Sequence, residues 1–152
     1  MKVLLQRVSR AEVRVEGKTV GSIGRGLVAL VGVECDDGPE DAEYHAAKTA
    51  DLRVFPDDEG RMNRNVAEAG GAVLVVSQFT LASSTRRGRR PSFTAAAPPE
   101  RAEPLCRRYA GAIAARGIRV ETGVFRAMME VDLVNDGPVT ILLDPPPFRE
   151  AE

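Results

Sequence analysis

An uninterrupted apolar run, Gly26-Leu27-Val28-Ala29-Leu30-Val31-Gly32-Val33, constrains the fold of this 152-residue chain more than any other feature. It is far too short to span a bilayer as a helix, which takes about 20 residues. It also lacks the alternation of a half-exposed strand, so both of its faces must be covered, as in a central strand. Ala72-Val73-Leu74-Val75-Val76-Ser77 repeats the pattern. Two such strands imply a well-developed core, and a chain of this length buries roughly 70% of its unfolded surface. That core needs neither a disulfide nor a structural metal. Cys35 and Cys106 are far apart and form no CxxC pair, so they suit a reducing compartment.

Shorter strands are expected around these two. Residues 2–8, 12–16 (Val13 and Val15 alternating with polar neighbours) and 19–23 read as strands, with a hairpin turn at Glu16-Gly17-Lys18. Gly38-Pro39-Glu40-Asp41 opens a helix that should run to about Leu52, with proline suited to the first helical position and acids favoured in the first turn. Pro98-Pro99-Glu100 announces a second helix with a stripe of Ala102, Cys106, Tyr109 and Ile113, and Gly117 suits its C-terminal cap. Pro104 falls late for a first-turn proline, which moves the expected start toward Glu103. Three strands, 118–124, 129–134 and 139–143, complete the chain. No repeat or linker divides it. The expectation is an α+β fold, one compact domain over residues 1–152, with a mostly antiparallel or mixed sheet and two main helices.

Several function classes drop out. His45 is the only imidazole, it sits in a helical context, and it reads as a half-exposed helix residue. A His-rich metal site is excluded and a Ser-His or Cys-His hydrolase is disfavoured; no metal or other cofactor is expected. The segment MKVLLQRVSR is broken by Gln6 and Arg7 and has no apolar h-region, so no signal peptide is expected and a cytoplasmic location is.

Charge is unevenly distributed. The formal net charge is −1, yet residues 86–119 hold nine arginines against Glu100 and Glu103, a local +7. Glu34, Asp36, Asp37, Glu40, Asp41 and Glu43 form an acidic block. The densest basic segment, Arg86-Arg87-Gly88-Arg89-Arg90, has the composition of a surface loop, and its guanidinium forks suit phosphates. The separation of charge points to a polyanionic partner. Only Phe79 and Phe93 flank the loop, thin support for a stacking surface.

Two segments carry candidate chemistry. Ser77-Gln78-Phe79-Thr80-Leu81 leaves the second buried strand, where hydroxyls, an amide and backbone N–H groups can face a pocket and stabilise a developing oxyanion. Thr80 is a conceivable nucleophile, but no neighbouring base is evident. Asn135-Asp136-Gly137-Pro138-Val139-Thr140 reads as a turn between two strands. A proline entering a strand is unusual because it has no N–H for the ladder, and composition leaves its isomer open.

Together these segments resemble the paired signature of the D-aminoacyl-tRNA deacylases, also called D-tyrosyl-tRNA deacylases. The resemblance covers almost the whole chain. It includes Gln6-Arg7-Val8, Leu30-Val31-Gly32-Val33, Asp51-Leu52-Arg53-Val54-Phe55, Gly60-Arg61-Met62-Asn63, Arg89-Arg90-Pro91-Ser92-Phe93, Ala97-Pro98-Pro99-Glu100 and Thr122-Gly123-Val124-Phe125. It implies a homodimeric α+β hydrolase with active sites at the interface, cleaving the ester between a D-amino acid and the 3′-terminal adenosine of tRNA. Glycyl-tRNA, such as tRNA-Ala mischarged with glycine, is implied as a second substrate. Gly137 and Pro138 match a Gly-cisPro element that enters the partner's pocket and rejects L-amino acids. Ser77, Gln78, Phe79 and Thr80 match the catalytic wall, with the N–H groups of Gln78 and Phe79 holding the substrate carbonyl. Phe125, Met129 and Thr140 match pocket-lining positions, and Arg7 a residue that steadies the Gly-Pro element. The chemistry implied is assistance by the substrate's 2′-hydroxyl, with Thr80 as an alternative nucleophile. Aminoacyl-tRNA is thus the implied partner, rather than DNA or a membrane. Arg126 departs from the Gly or Ala usual after Phe125. A non-catalytic tRNA- or RNA-binding module using the Arg86–Arg119 region is the rival reading.

Overall fold

In the computed structural model, which describes residues 1–149, strand β1 (Lys2–Val15) is the backbone of the architecture. Along one edge its first half pairs antiparallel with β3 (Gly26–Gly32) and its second half with β2 (Lys18–Ile23). Helix α1 (Pro39–Asp51) then crosses over, and a small ribbon of β4 (Phe55–Pro56) and β5 (Met62–Arg64) follows. Strand β6 (Ala72–Ser77) lies parallel to β3. Helix α2 (Pro99–Ala114) makes the second crossover and delivers β7 (Val120–Thr122) parallel to β6. The last strand, β8 (Glu130–Leu142), pairs with the other edge of β1. The sheet runs β2-β1-β3-β6-β7 and nearly closes, for a Cβ at Gly21 of β2 would lie 2.6 Å from the Thr122 carbonyl oxygen of β7.

The two apolar runs become the central parallel pair, buried on both faces as their composition requires. On one face Val3, Leu5, Leu27, Ala29, Val73 and Val75 pack beneath Ala42, Ala46 and Ala50 of α1 and Leu105, Tyr109 and Ile113 of α2. The alanines let the two helices approach closely. On the other face Val8, Val13, Val28, Leu74 and Val76 form the inner core of the curved sheet. Each fully buried Val or Leu contributes about 1.5–3 kcal/mol. Tyr109 joins the two helices by hydrogen bonding to Thr49, 2.7 Å away, while the Thr49 hydroxyl donates to the His45 carbonyl at 2.8 Å.

Several expectations are corrected. His45 is fully buried, not half-exposed, with Nδ1 2.8 Å from the Asp41 carbonyl oxygen and Nε2 without a partner. Residues 2–8 and 12–16 are one strand, bent by register shifts rather than broken. Helix α2 starts at Pro99, not near Glu103; Pro104 is tolerated inside it because it lies on the exposed face. The carbonyl deprived of a donor there is that of exposed Glu100. The segment 118–124 is reduced to the three residues of β7. Finally, 129–134 and 139–143 are parts of one strand, so 135–140 is no chain-reversing turn. Val8 pairs with Asn135 and Gln6 with Thr140, leaving Arg7 alone opposite the bulged residues 136–139. The Gly137–Pro138 peptide bond is cis.

Candidate active site

Strand β6 ends at Ser77, and the chain turns at once into a 3-10 helix over Phe79–Ala82. Because β6 is locked between β3 and β7, the turn is delivered to a fixed place at the end of the sheet. There it forms one wall of an open cavity of about 630 Å³, a size suited to a small-molecule group. Ser77, Gln78, Phe79 and Thr80 all line it. Val31 and Val33 from the end of β3, Ala102 and Cys106 from α2, and Phe125, Arg126 and Met129 from the segment before β8 supply the rest.

The donors differ from expectation in one respect. The Gln78 N–H donates to the Val31 carbonyl at 2.7 Å, extending the β3–β6 ladder by one rung, and so is not available to a ligand. Phe79 and Thr80 open the 3-10 helix, where the first N–H groups have no partner within the helix. They are the backbone donors that this wall can offer. The Gln78 side-chain amide donates to the Thr80 hydroxyl, fixing that side chain.

No carboxylate or imidazole lines the cavity. Its thiol is inert, since burial and the nearby Glu103 push Cys106 up to about 11. Thr80 therefore has no resident base. His45 lies in the helix-side core, and burial holds its imidazole below the usual value despite the Asp41 carbonyl and the nearby acids. Arg126 is exposed at the rim at φ +66°, a left-handed conformation uncommon for arginine. A shallower cleft of about 390 Å³ adjoins the cavity through Ser77, Cys106 and Phe125.

Arg7, Gly137, Pro138 and Thr140 do not line the cavity of their own chain. They meet instead at the β8 bulge. The Arg7 guanidinium donates to the Asp136 carbonyl at 2.9 Å and the Val54 carbonyl at 2.6 Å, tying the bulge to the chain before β4. Thr140 accepts from Asn135 at 2.9 Å and Gln6 at 3.2 Å, and the Asn135 side chain takes the Val139 N–H at 2.8 Å. Gly137 has φ +137°, and a Cβ there would lie 2.8 Å from Arg7 Nη2 and 2.9 Å from Val139 Cγ2. The sequence thus identifies two clusters that the fold keeps apart. It did not reveal Cys106, Val31, Ala96 or Ala97 as lining. For Cys106 a signal existed, its place on the α2 stripe one turn from Ala102.

Among the described residues no group of three or more His, Cys, Asp or Glu forms a metal site, and no helix is long and apolar enough to cross a membrane.

Known proteins share this fold. A family model described as D-Tyr-tRNA(Tyr) deacylase matches residues 4–144. The D-aminoacyl-tRNA deacylase of Anaeromyxobacter dehalogenans strain 2CP-C is 60% identical over 144 residues, spanning 95% of this chain and 97% of the relative. A solved structure titled c-Myc DNA Unwinding Element Binding Protein superimposes with a TM-score of 0.89 at 37% identity, covering 96% of this chain and 99% of that one. A structure of a probable eukaryotic D-amino acid tRNA deacylase shares the fold, with a TM-score of 0.80 at 18% identity, over 93% of this chain and 97% of that one. By its similarity to these deacylases the chain is a hydrolase acting on ester bonds. The chain belongs to the D-Tyr-tRNA(Tyr) deacylase family.

Proposed function

We propose that this protein hydrolyses the ester joining a D-amino acid to the 3′-terminal adenosine of tRNA, releasing free D-amino acid and tRNA. The observation that carries the reading is the cavity beyond β6. It offers polar donors at Phe79 and Thr80 but has no acid or base in its lining. Water attacking the carbonyl there needs its proton acceptor from the substrate: the ribose 2′-hydroxyl beside the scissile ester takes that proton and passes its own to the departing 3′-oxygen. The Phe79 and Thr80 N–H groups hold the carbonyl as it becomes an oxyanion. Thr80 then serves as wall rather than nucleophile.

Chiral selection falls to the bulge at Gly137-Pro138. It stands away from the cavity of its own chain, so it acts in the cavity of a second copy, and the protein works as a homodimer. Met128 and Val131, apolar residues exposed around the cavity, support a covering partner. Carbonyls of the inserted bulge exclude an L side chain, while glycine has no side chain to exclude. Glycyl-tRNA, including tRNA-Ala mischarged with glycine, is accordingly a second substrate. The cytoplasm, where aminoacyl-tRNA is used, is the site of action. A purely RNA-binding module would leave the cavity without a role.

The test is hydrolysis of matched D-Tyr-tRNA and L-Tyr-tRNA at sub-stoichiometric enzyme. Rapid loss of the D-ester alone is expected. Cleavage of both would remove the chiral filter, and binding without cleavage of either would return the protein to the binding-module class.

A further inference from the structure

The basic stretch 86–119 separates into two groups according to the partners its arginines find. Arg107, Arg108, Arg116 and Arg119 pair with Glu103, Glu43, Asp51 and Glu121. Arg101 donates to the carbonyls of Cys35 and Asp37, 2.7 and 3.2 Å away. These five arginines brace the fold, and one of them, Arg108, ties α2 to the acidic block through Glu43. Arg86, Arg87, Arg89 and Arg90 are exposed, and among the described residues none has a carboxylate or carbonyl partner.

Those four arginines cluster at the tip of a hairpin. Ser84 and Ser92 close its base by exchanging two backbone hydrogen bonds of 2.8 and 2.9 Å, and Gly88 at φ +70° turns its tip. Immediately beyond the base Phe93 packs edge-to-face on Phe79, with ring centroids 5.1 Å apart. Both rings are uncovered, 37% and 57% exposed, and Phe79 also lines the cavity. Unpaired guanidinium groups beside an open aromatic pair match the needs of a single strand, whose phosphates seek cations and whose bases seek flat apolar faces.

We propose that hairpin 84–92 and the Phe79–Phe93 pair form a docking rim for the single-stranded 3′ segment of an RNA whose last nucleotide enters the cavity. The bases lie against Phe93 and the phosphates against the four arginines. This assignment rests on the deacylase function proposed for the cavity.

Its test compares D-Tyr-tRNA with D-tyrosyl-adenosine, which has the ester but no phosphate. Replacing all four arginines with Gln lowers kcat/KM on D-Tyr-tRNA at low salt by at least about tenfold. The log–log salt slope of tRNA binding becomes shallower by about 0.7 for each phosphate that is no longer neutralised. Phe93→Ala costs about tenfold on tRNA, and Phe93→Tyr restores it. Hydrolysis of D-tyrosyl-adenosine is unchanged in every variant. Unaltered tRNA hydrolysis and salt slope in the Gln variant would overturn the assignment, as would equal losses on both substrates. If the wild type cleaves neither ester, the deacylase reading itself fails; titration of uncharged tRNA with the same variants still decides whether the rim binds it.

Discussion

Strands β6 and β8 carry the two halves of the proposed site and are held by opposite means. Every residue from Ala72 to Val76 is buried, and the wall at 77–80 inherits its position from that packing. Along β8 only Val139 is fully buried, and the bulge at 136–139 is held by polar clamps from Arg7, Gln6 and Asn135. The wall is therefore robust to loss of any single polar interaction and sensitive to loss of volume beneath it. The bulge has the reverse sensitivities.

The largest effect should come from Leu74→Ala, which opens a void under the wall. It is expected to destabilise the fold by about 3–5 kcal/mol, read as a fall in the urea midpoint, with D-over-L selectivity preserved in whatever remains folded. Gly137→Ala should do the opposite. The positive φ and the close approach of Arg7 and Val139 displace the bulge at a cost of about 1–3 kcal/mol. Discrimination against L-Tyr-tRNA should fall more than tenfold while D-ester cleavage persists. Arg7→Ala leaves two carbonyls without their donor and is expected to cost about 2 kcal/mol. Its selectivity loss should resemble that of Gly137→Ala, and unchanged selectivity would separate the clamp from the filter.

Three smaller effects sharpen the contrast. Burial lowers the His45 pKa in the folded state, so on acidification the unfolded chain takes up that proton first. Stability should be flat above neutrality and decline below about pH 6.5, by at most about 1.4 kcal/mol per pH unit. His45→Asn should flatten that limb in thermal melts between pH 7.5 and 5.5. Asp41 acts lower. Its burial opposes ionisation, but Arg149 and the Gly38 N–H outweigh that and depress its pKa, so its contribution is lost only as pH falls below about 3.8. Smallest of all, Arg126→Gly relieves a left-handed arginine and should raise stability by about 0.5–1 kcal/mol, or Tm by a few degrees. A fall in Tm would mean that Arg126 makes an interaction worth more than its backbone strain.

The parts of the fold legible in the sequence are those written in continuous hydrophobicity. Leu27–Val31 and Val73–Val76 announce buried strands because no register of theirs is polar. Pro39 marks a helix start because a missing N–H costs nothing there; Pro99 does the same, but Pro104 five residues later drew the expected start of α2 toward Glu103. The bulge was not legible as a bulge. Pro138 argues for a strand end, and only the structure reveals that Asn135, a side chain four residues back, takes the Val139 N–H that the ladder leaves over. Nor was the burial of His45 readable, since Tyr44-His45 in a helix does not say which face meets α2. Of the candidate residues, Ser77–Thr80, Phe125 and Met129 line one cavity. The engagement of the Gln78 N–H was hidden, because it depends on how far the β3 ladder continues past the last residue of β6.

That last rung, from Gln78 to Val31, bears on timing. A wall hydrogen-bonded into the central ladder cannot swing aside unless the core strands part, and such openings approach the free energy of global unfolding. The Gln78 amide should thus exchange with solvent as slowly as Leu74 or Val75. Donors that are immobile before the substrate arrives need no rearrangement as charge develops on the carbonyl, so the reorganisation that water would undergo around the same oxyanion is complete when the protein folds.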